Sequence, residues 1–167
     1  QVCCMYSIKQ AQLAMGALPM ADVTIYYIDI RAFGKDFEEF YQRSKGMGVE
    51  FVKGKIAKIN EKENGDLELK YEDFETGGIK TAEHDLVVLS VGILANQDTK
   101  KIFKNDGLAF DQYNFVRQID ETLNPAKTSI EGVFVAGAAS GPMDIPDSIA
   151  SAGAAAAETA SYLRRAV

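Results

Sequence analysis

The sequence predicts an α/β fold: a parallel sheet covered by helices, with an antiparallel β meander set into the chain. Three observations carry this. Residues 23–28, Val-Thr-Ile-Tyr-Tyr-Ile, are β-branched or aromatic almost throughout. That composition suits a strand buried on both sides of a parallel sheet. Residues 67–72 alternate Leu67, Leu69 and Tyr71 with Glu68, Lys70 and Glu72, just after Asn64-Gly65. Alternation marks a strand with one wet face, and Asn-Gly is a strong hairpin signal. Residues 147–165 are Ala-rich and end on Arg164 and Arg165. This is helix composition, with cations where the helix dipole favours them.

The other elements follow in order. Cys4, Ile8, Ala11, Met15 and Leu18 recur at helical spacing over 3–18, with Lys9, Gln10 and Gln12 off the stripe. Gly16 and Pro19 mark the end of that helix. Phe37, Phe40 and Tyr41 give a short amphipathic helix stopped around Gly46 and Gly48. Two strands, 49–52 and 55–59, lead to the Asn64-Gly65 turn, and Thr76-Gly77-Gly78 makes a second turn. Residues 86–92, Leu-Val-Val-Leu-Ser-Val-Gly, read as another fully buried strand. Irregular strands are expected at 108–110 and 115–116, then a buried strand and glycine turn over 132–137. A loop over 141–146 precedes the long helix, with Asp147 as its expected N-cap. There is no internal repeat and no low-complexity linker.

The 167 residues suffice for one ordinary domain or two small lobes. At 47% hydrophobic and 25% charged, the chain is globular in composition. A net charge of −6 disfavours nucleic acid and anionic membrane faces as partners. No apolar run approaches the roughly 18 residues that span a bilayer. Gln1-Val2-Cys3-Cys4 does not resemble the start of a signal peptide. The chain opens without Met at what looks like the mouth of a helix, and it is expected to be cut from a longer protein. Its two cysteines, Cys3 and Cys4, are adjacent. They are either free thiols of a cytosolic protein or half of a metal or cluster site whose other ligands lie upstream.

A helix followed by strand 23–28, then Asp85 to Gly92 with Asn96 beyond, then Gly132-Val133-Phe134-Val135-Ala136-Gly137 before a long helix, resembles the pyridine nucleotide–disulfide oxidoreductase fold. That is a Rossmann-like flavoprotein fold with two dinucleotide-binding domains, here truncated. More specifically, Cys3-Cys4-Met5-Tyr6-Ser7-Ile8-Lys9-Gln10-Ala11 resembles a signature of the heterodisulfide reductase family, in its A-type flavin and iron–sulfur subunit. So do Tyr27-Ile28-Asp29-Ile30-Arg31-Ala32-Phe33-Gly34 and Gly141-Pro142-Met143-Asp144-Ile145-Pro146-Asp147-Ser148. The resemblance covers nearly the whole chain and extends to the corresponding subunit of a quinone-interacting oxidoreductase of sulfate reducers. It implies residues 1–96 as a nicotinamide-domain-like inserted lobe, incomplete at its N-terminus, and 97–167 as the C-terminal part of an FAD-binding domain. It implies a cytoplasmic oxidoreductase subunit holding FAD and [4Fe–4S] clusters, which passes electrons between them. Its partners would be the other subunits of a heterodisulfide reductase-like complex and electron-carrier proteins, and a homodimer is compatible with it. The chain alone is expected to be inactive and to bind FAD weakly or not at all, since it has no G-x-G-x-x-G loop.

The same resemblance assigns residues. Cys3 and Cys4 would be cluster ligands, as thiolates suit. Lys9 would face the flavin ring and act as the catalytic-site cation, stabilising negative charge there; otherwise it is a solvated helix lysine. Gly137 and Ala138 would pass close to the flavin, or simply form a tight turn. Most flavoproteins of the broad class carry Asp where Ala138 stands, and Asp144 is the candidate replacement carboxylate. Pro146, Asp147, Ser148 and Ile149 open a helix whose N-terminus would face the flavin's pyrimidine side. Asp29 is read as structural rather than as a ribose ligand, and His84 as a surface or hydrogen-bonded residue in a loop. Two rival readings remain. A thioredoxin reductase or NADH oxidase type needs a redox cysteine pair or a nicotinamide fingerprint, and neither is present. A non-catalytic scaffold that lost its cofactor draws on Ala138.

Overall fold

The computed structural model describes residues 2–103 and 107–165. They fall into two compact units, Gln1–Gly92 and Ile93–Val167.

The first unit runs α1 (Val2–Ala17), β1 (Thr24–Tyr27), α2 (Phe37–Gly46), β2 (Glu50–Glu61), β3 (Leu67–Asp73) and β4 (Ile79–His84). The sheet order is β1-β2-β3-β4. Strands β1 and β2 are parallel, with Thr24 opposite Glu50 and Tyr27 opposite Lys53. Parallel neighbours need a crossover, and α2 provides it. The apolar stripe of α1 buries Ile8 completely and Ala11 nearly so. A fully buried Ile contributes roughly 1.5–3 kcal/mol. Ser44 on α2 is also fully buried. Its hydroxyl accepts from Gln12 Nε2 at 2.9 Å and donates to the Phe40 carbonyl at 3.4 Å, so the two helices meet with no polar group stranded.

Strand β2 belongs to two ladders. Residues 50–53 pair with β1, and Gly54 onward pairs antiparallel with β3, Gly54 opposite Asp73. A Cβ at Gly54 would lie 2.3 Å from the Glu72 carbonyl oxygen, so only glycine fits there. The meander packs Tyr71 edge-on to Tyr26, with ring centroids 5.0 Å apart, and brings His84 Nε2 to within 2.9 Å of the Tyr26 hydroxyl. Burial, then the neighbouring Tyr71 and Glu50, pushes the Tyr26 phenol up to about 12. The β2–β3 connection carries Gly65 at φ 90°, as the Asn-Gly signal predicts. The β3–β4 turn uses Gly77 and Gly78 at φ 73° and 89°. Asp73 closes it: its carboxylate accepts the backbone N–H groups of Glu75 and Thr76 at 2.9 Å each and pairs with Lys80 at 2.7 Å.

The second unit holds α3 (Asp98–Ile102), a 3₁₀ turn at Gly137–Ala139 and α4 (Ile145–Arg165). Its core is Leu108, Val116 and Val135, packed by Phe103, Phe110, Ile130 and Val133. Strand character here is limited to single bridges, such as Phe110 with Val116 and Lys127 with Phe134. Helix α4 lies against this layer through Phe134 edge-on to Tyr162 at 6.0 Å and the Lys127–Glu158 ion pair at 3.3 Å.

The α/β class, the first three helical and strand segments, the hairpin and the long helix match the sequence expectations. Several details differ. Strand β1 is half-buried at the sheet edge rather than buried on both sides. Residues 50–52 and 55–59 fall in one strand, which changes pairing partner at Gly54 without breaking. Strand β4 places His84 at a strand end rather than in a loop, although the hydrogen-bonded role holds. Residues 86–92 form no ladder among the described residues, and Leu86 and Val91 are 73% and 83% exposed. Composition marks a segment that can be buried, but a strand also needs a neighbour to pair with. The same reason reduces 132–137 to one bridge, while Val135 is buried as expected.

These contacts make two predictions about stability. Gly54→Ala should destabilise the protein by about 1–3 kcal/mol or more, since backbone must move to admit the methyl; a lowered urea midpoint checks it. Lys80, followed by the turn N–H groups, holds the Asp73 carboxyl well below the usual carboxylate range. Because its folded pKa is depressed, its stabilisation is complete above the unfolded value of about 4 and is lost as pH falls below that. Urea midpoints measured between neutral pH and about pH 2 should fall on acidification. Asp73→Asn should lie lower at neutral pH and show a flatter fall.

Candidate functional site

Apart from Lys9, the expected flavin-facing residues lie in the second unit, where the 3₁₀ turn meets the start of α4. Gly137 adopts φ 62°, a left-handed conformation that favours glycine. Its N–H donates to Ser151 Oγ at 3.0 Å, and a Cβ there would sit 3.8 Å from Ser148. The turn is thereby tied to the first two turns of the helix, with Ala138 exposed at its crest. The Val116 N–H donates to the Ala139 carbonyl at 2.9 Å, which fixes the turn to the core layer beneath.

Helix α4 begins at Ile145, two residues before the expected start. Its cap is Asp144, whose Oδ1 accepts the Asp147 N–H at 2.9 Å. Asp147 is therefore the third residue of the helix and not its N-cap. The spacing already contained the signal: an Asp with a Pro two residues on and an acid three residues on is a helix-start pattern. The cap alters the donor supply. Pro146 has no N–H, the Asp147 N–H is taken by the cap, and the Ser148 N–H bonds the Asp144 carbonyl at 3.0 Å. Ile145 thus has the one first-turn N–H without such a partner among the described residues. Asp144 Oδ2 also carries no hydrogen bond there and stays open as an acceptor. Ile149 is exposed one turn on from Ile145.

Cys3, Cys4 and Lys9 belong to the first unit, on α1. Both thiols are free and half-buried. The Cys4 thiol donates weakly to the Asp29 carbonyl at 3.9 Å. Lys9 is exposed and forms no ion pair among the described residues. Among those residues, no three Cys, His, Asp or Glu side chains converge as a metal site would require. The Asp29 carboxylate pairs with Arg31 at 3.4 Å, both largely exposed, an arrangement worth little to stability. One feature carries no sequence signal. Tyr6, one turn beyond Cys3, is hydrogen-bonded to Ser90 and Gly92, more than eighty residues away. No helix in the described residues is long and apolar enough to cross a membrane.

Comparison with known proteins places this geometry in a class. The family signature for pyridine nucleotide-disulphide oxidoreductases matches residues 8–164. The chain belongs to that family, whose fold is a flavoprotein fold. The structure overlaps thioredoxin reductase from Lactococcus lactis with a TM-score of 0.68 at 17% identity, over 96% of this chain and 50% of that one. It overlaps thioredoxin reductase from T. acidophilum with a TM-score of 0.63 at 19% identity, over 87% and 45%. At such identities the likeness concerns the fold alone.

The sequence relatives are narrower in kind: they are heterodisulfide reductase A subunits. The chain is 42% identical over 161 residues to the A subunit of the H(2):CoB-CoM heterodisulfide,ferredoxin reductase of Methanothermobacter thermautotrophicus, covering 96% of this chain. It is 42% identical over 164 residues to the second iron-sulfur A subunit of the CoB–CoM heterodisulfide reductase of Methanopyrus kandleri, covering 97% of this chain. It spans about a quarter of the length of these relatives, 24% and 25%.

The cap assignment yields a test. Asp144→Ala should lower stability by about 1 kcal/mol, the usual cost of losing a helix cap. Asp147→Ala should cost only a few tenths, through the helix dipole. A larger loss for Asp147→Ala than for Asp144→Ala in denaturant unfolding would return the cap to Asp147.

Proposed function

We propose that the chain is part of a cytoplasmic FAD- and iron–sulfur-containing electron-transfer subunit of a heterodisulfide reductase-like complex. Residues 1–96 would be the inserted nicotinamide-domain-like lobe and 97–167 the end of the FAD-binding domain. Its partners would be the other subunits of that complex and electron-carrier proteins. The observation that carries the reading is the free Cys3-Cys4 pair opening α1, with an exposed Lys9 farther along, in a chain whose relatives include a subunit described as iron–sulfur.

The residues present fit part of each cofactor. Two adjacent thiolates supply half of the four ligands of a [4Fe–4S] cluster, so the others would come from outside this chain. Gly137 and Ala138 offer a turn without bulk, the Ile145 N–H a donor, and Asp144 Oδ2 an acceptor for a sugar-like hydroxyl. With Ala138 in place of the usual Asp, that second oxygen of Asp144 is the carboxylate left for the role. Pro146, Asp147, Ser148 and Ile149 would line the same edge, with the Ser148 side chain against the Gly137 turn. FAD, when bound, would supply two-electron redox chemistry. Lys9 would hold a full positive charge toward a flavin ring.

The test uses the longer protein purified without oxygen. Cys3→Ser and Cys4→Ser should each lose iron and the broad absorption of one cluster while keeping flavin. Unchanged iron in both variants would leave free thiols as the only role. In the same preparation, Lys9→Ala should lower the flavin midpoint by an amount on the order of tens of millivolts, since about 30 mV corresponds to 1.4 kcal/mol for two electrons. Equal midpoints would make Lys9 a solvated helix residue.

A further inference from the structure

The β2–β3 turn sets side by side two groups that can react with one another, the Asn64 side-chain amide and the Gly65 backbone nitrogen. Both residues are exposed, and nothing lies within 4 Å of where a Gly65 Cβ would stand. Glycine leaves that nitrogen without a side chain in its way. In the folded hairpin both groups are engaged. The Gly65 N–H donates to the Lys62 carbonyl at 3.0 Å. The Asn64 carboxamide is held at both ends by Asp66: Nδ2 donates to the Asp66 carboxylate at 2.6 Å, and Oδ1 accepts the Asp66 N–H at 3.1 Å. The Lys62 N–H donates to the Asp66 carbonyl at 2.8 Å and closes the turn. An N–H only donates and an ionised carboxylate only accepts, so chemistry fixes the direction of each bond.

We propose that Asn64 is a modification site of this chain, open to loss of its amide through Gly65, and that Asp66 holds the reaction back while the hairpin is folded. In the reaction the Gly65 nitrogen bonds to Asn64 Cγ and gives up its proton. The Cγ–Nδ2 bond breaks, and the amide leaves as ammonia with that proton. Solvent water then opens the cyclic imide at either carbonyl, giving aspartate or isoaspartate with no redox change. To react, the Gly65 N–H must release the Lys62 carbonyl, and the carboxamide must leave Asp66 at both ends. Each hydrogen bond given up on the way raises the barrier. Isoaspartate adds a backbone methylene to the turn, next to the Glu61–Leu67 pair that ends the β2–β3 ladder. Turn geometry sets hairpin register, so the product would loosen that end of the meander.

The experiment incubates the longer protein at mildly alkaline pH, folded and in urea. Conversion of Asn64 is followed by peptide mass spectrometry, with isoaspartate assayed on the same samples. Asn64 should convert in urea and far more slowly in the folded protein. Asp66→Ala should speed conversion in the folded protein about fivefold or more, the factor for loss of about 1 kcal/mol of hydrogen bonding. Asp66→Asn keeps an acceptor oxygen without the charge and should fall between Asp66→Ala and wild type. If Asp66→Ala does not fold, Asp66→Asn decides: conversion faster than wild type supports the proposal, and an equal rate overturns it. Asn64 left unconverted in urea would overturn the site. Equal rates in folded and urea-treated wild type would overturn the protection. Folded Asp66→Ala at the wild-type rate would overturn the role of Asp66.

Discussion

The first unit is organised around the close contact between Gly54 and the Glu72 carbonyl. Strand β2 serves a parallel ladder at one end and an antiparallel ladder at the other. The two ladders meet where a side chain would collide with backbone. Through this contact Tyr71 is carried onto Tyr26, His84 reaches the Tyr26 hydroxyl, and the meander closes over β1. The buried Ser44 and Gln12 contact then sets the α2 crossover against α1. The helix that carries Cys3, Cys4 and Lys9 is therefore held by packing laid down far from those residues in sequence.

The second unit uses a different device. Its layer of irregular segments has few ladder hydrogen bonds, so side chains take over backbone satisfaction. Asp144 caps α4, Ser151 accepts from the Gly137 N–H, and Thr128 donates to the Val133 carbonyl at 2.8 Å. The candidate flavin edge grows out of the same economy. Where the cap spends one carboxylate oxygen on the helix, the other stays open, and proline leaves one fewer backbone N–H to satisfy.

The overall charge is acidic, yet Lys9 stands on α1 without an ion pair among the described residues. The Cys3 and Cys4 thiols on the same helix are half-buried, and that of Cys4 is in weak contact with the Asp29 carbonyl.

The sequence by itself determined which segments can be helix or hairpin, because helical spacing, Asn64-Gly65 and the Gly77-Gly78 pair act within a few residues. It also singled out the candidate site residues: the thiol pair, Lys9, the Gly137 turn and the Asp144 to Ser148 stretch. Only the tertiary structure decided partners. Residues 86–92 have the composition of a buried strand but lie in no ladder, since composition does not name a neighbour. His84 became a strand-end partner of Tyr26 because the β2–β3–β4 pairing brings residues distant in sequence together. The cap passed from Asp147 to Asp144 because hydrogen-bond geometry, rather than residue type, selects among acids at a helix start. The Tyr6 contacts with Ser90 and Gly92 join residues too far apart along the chain for any local pattern to record.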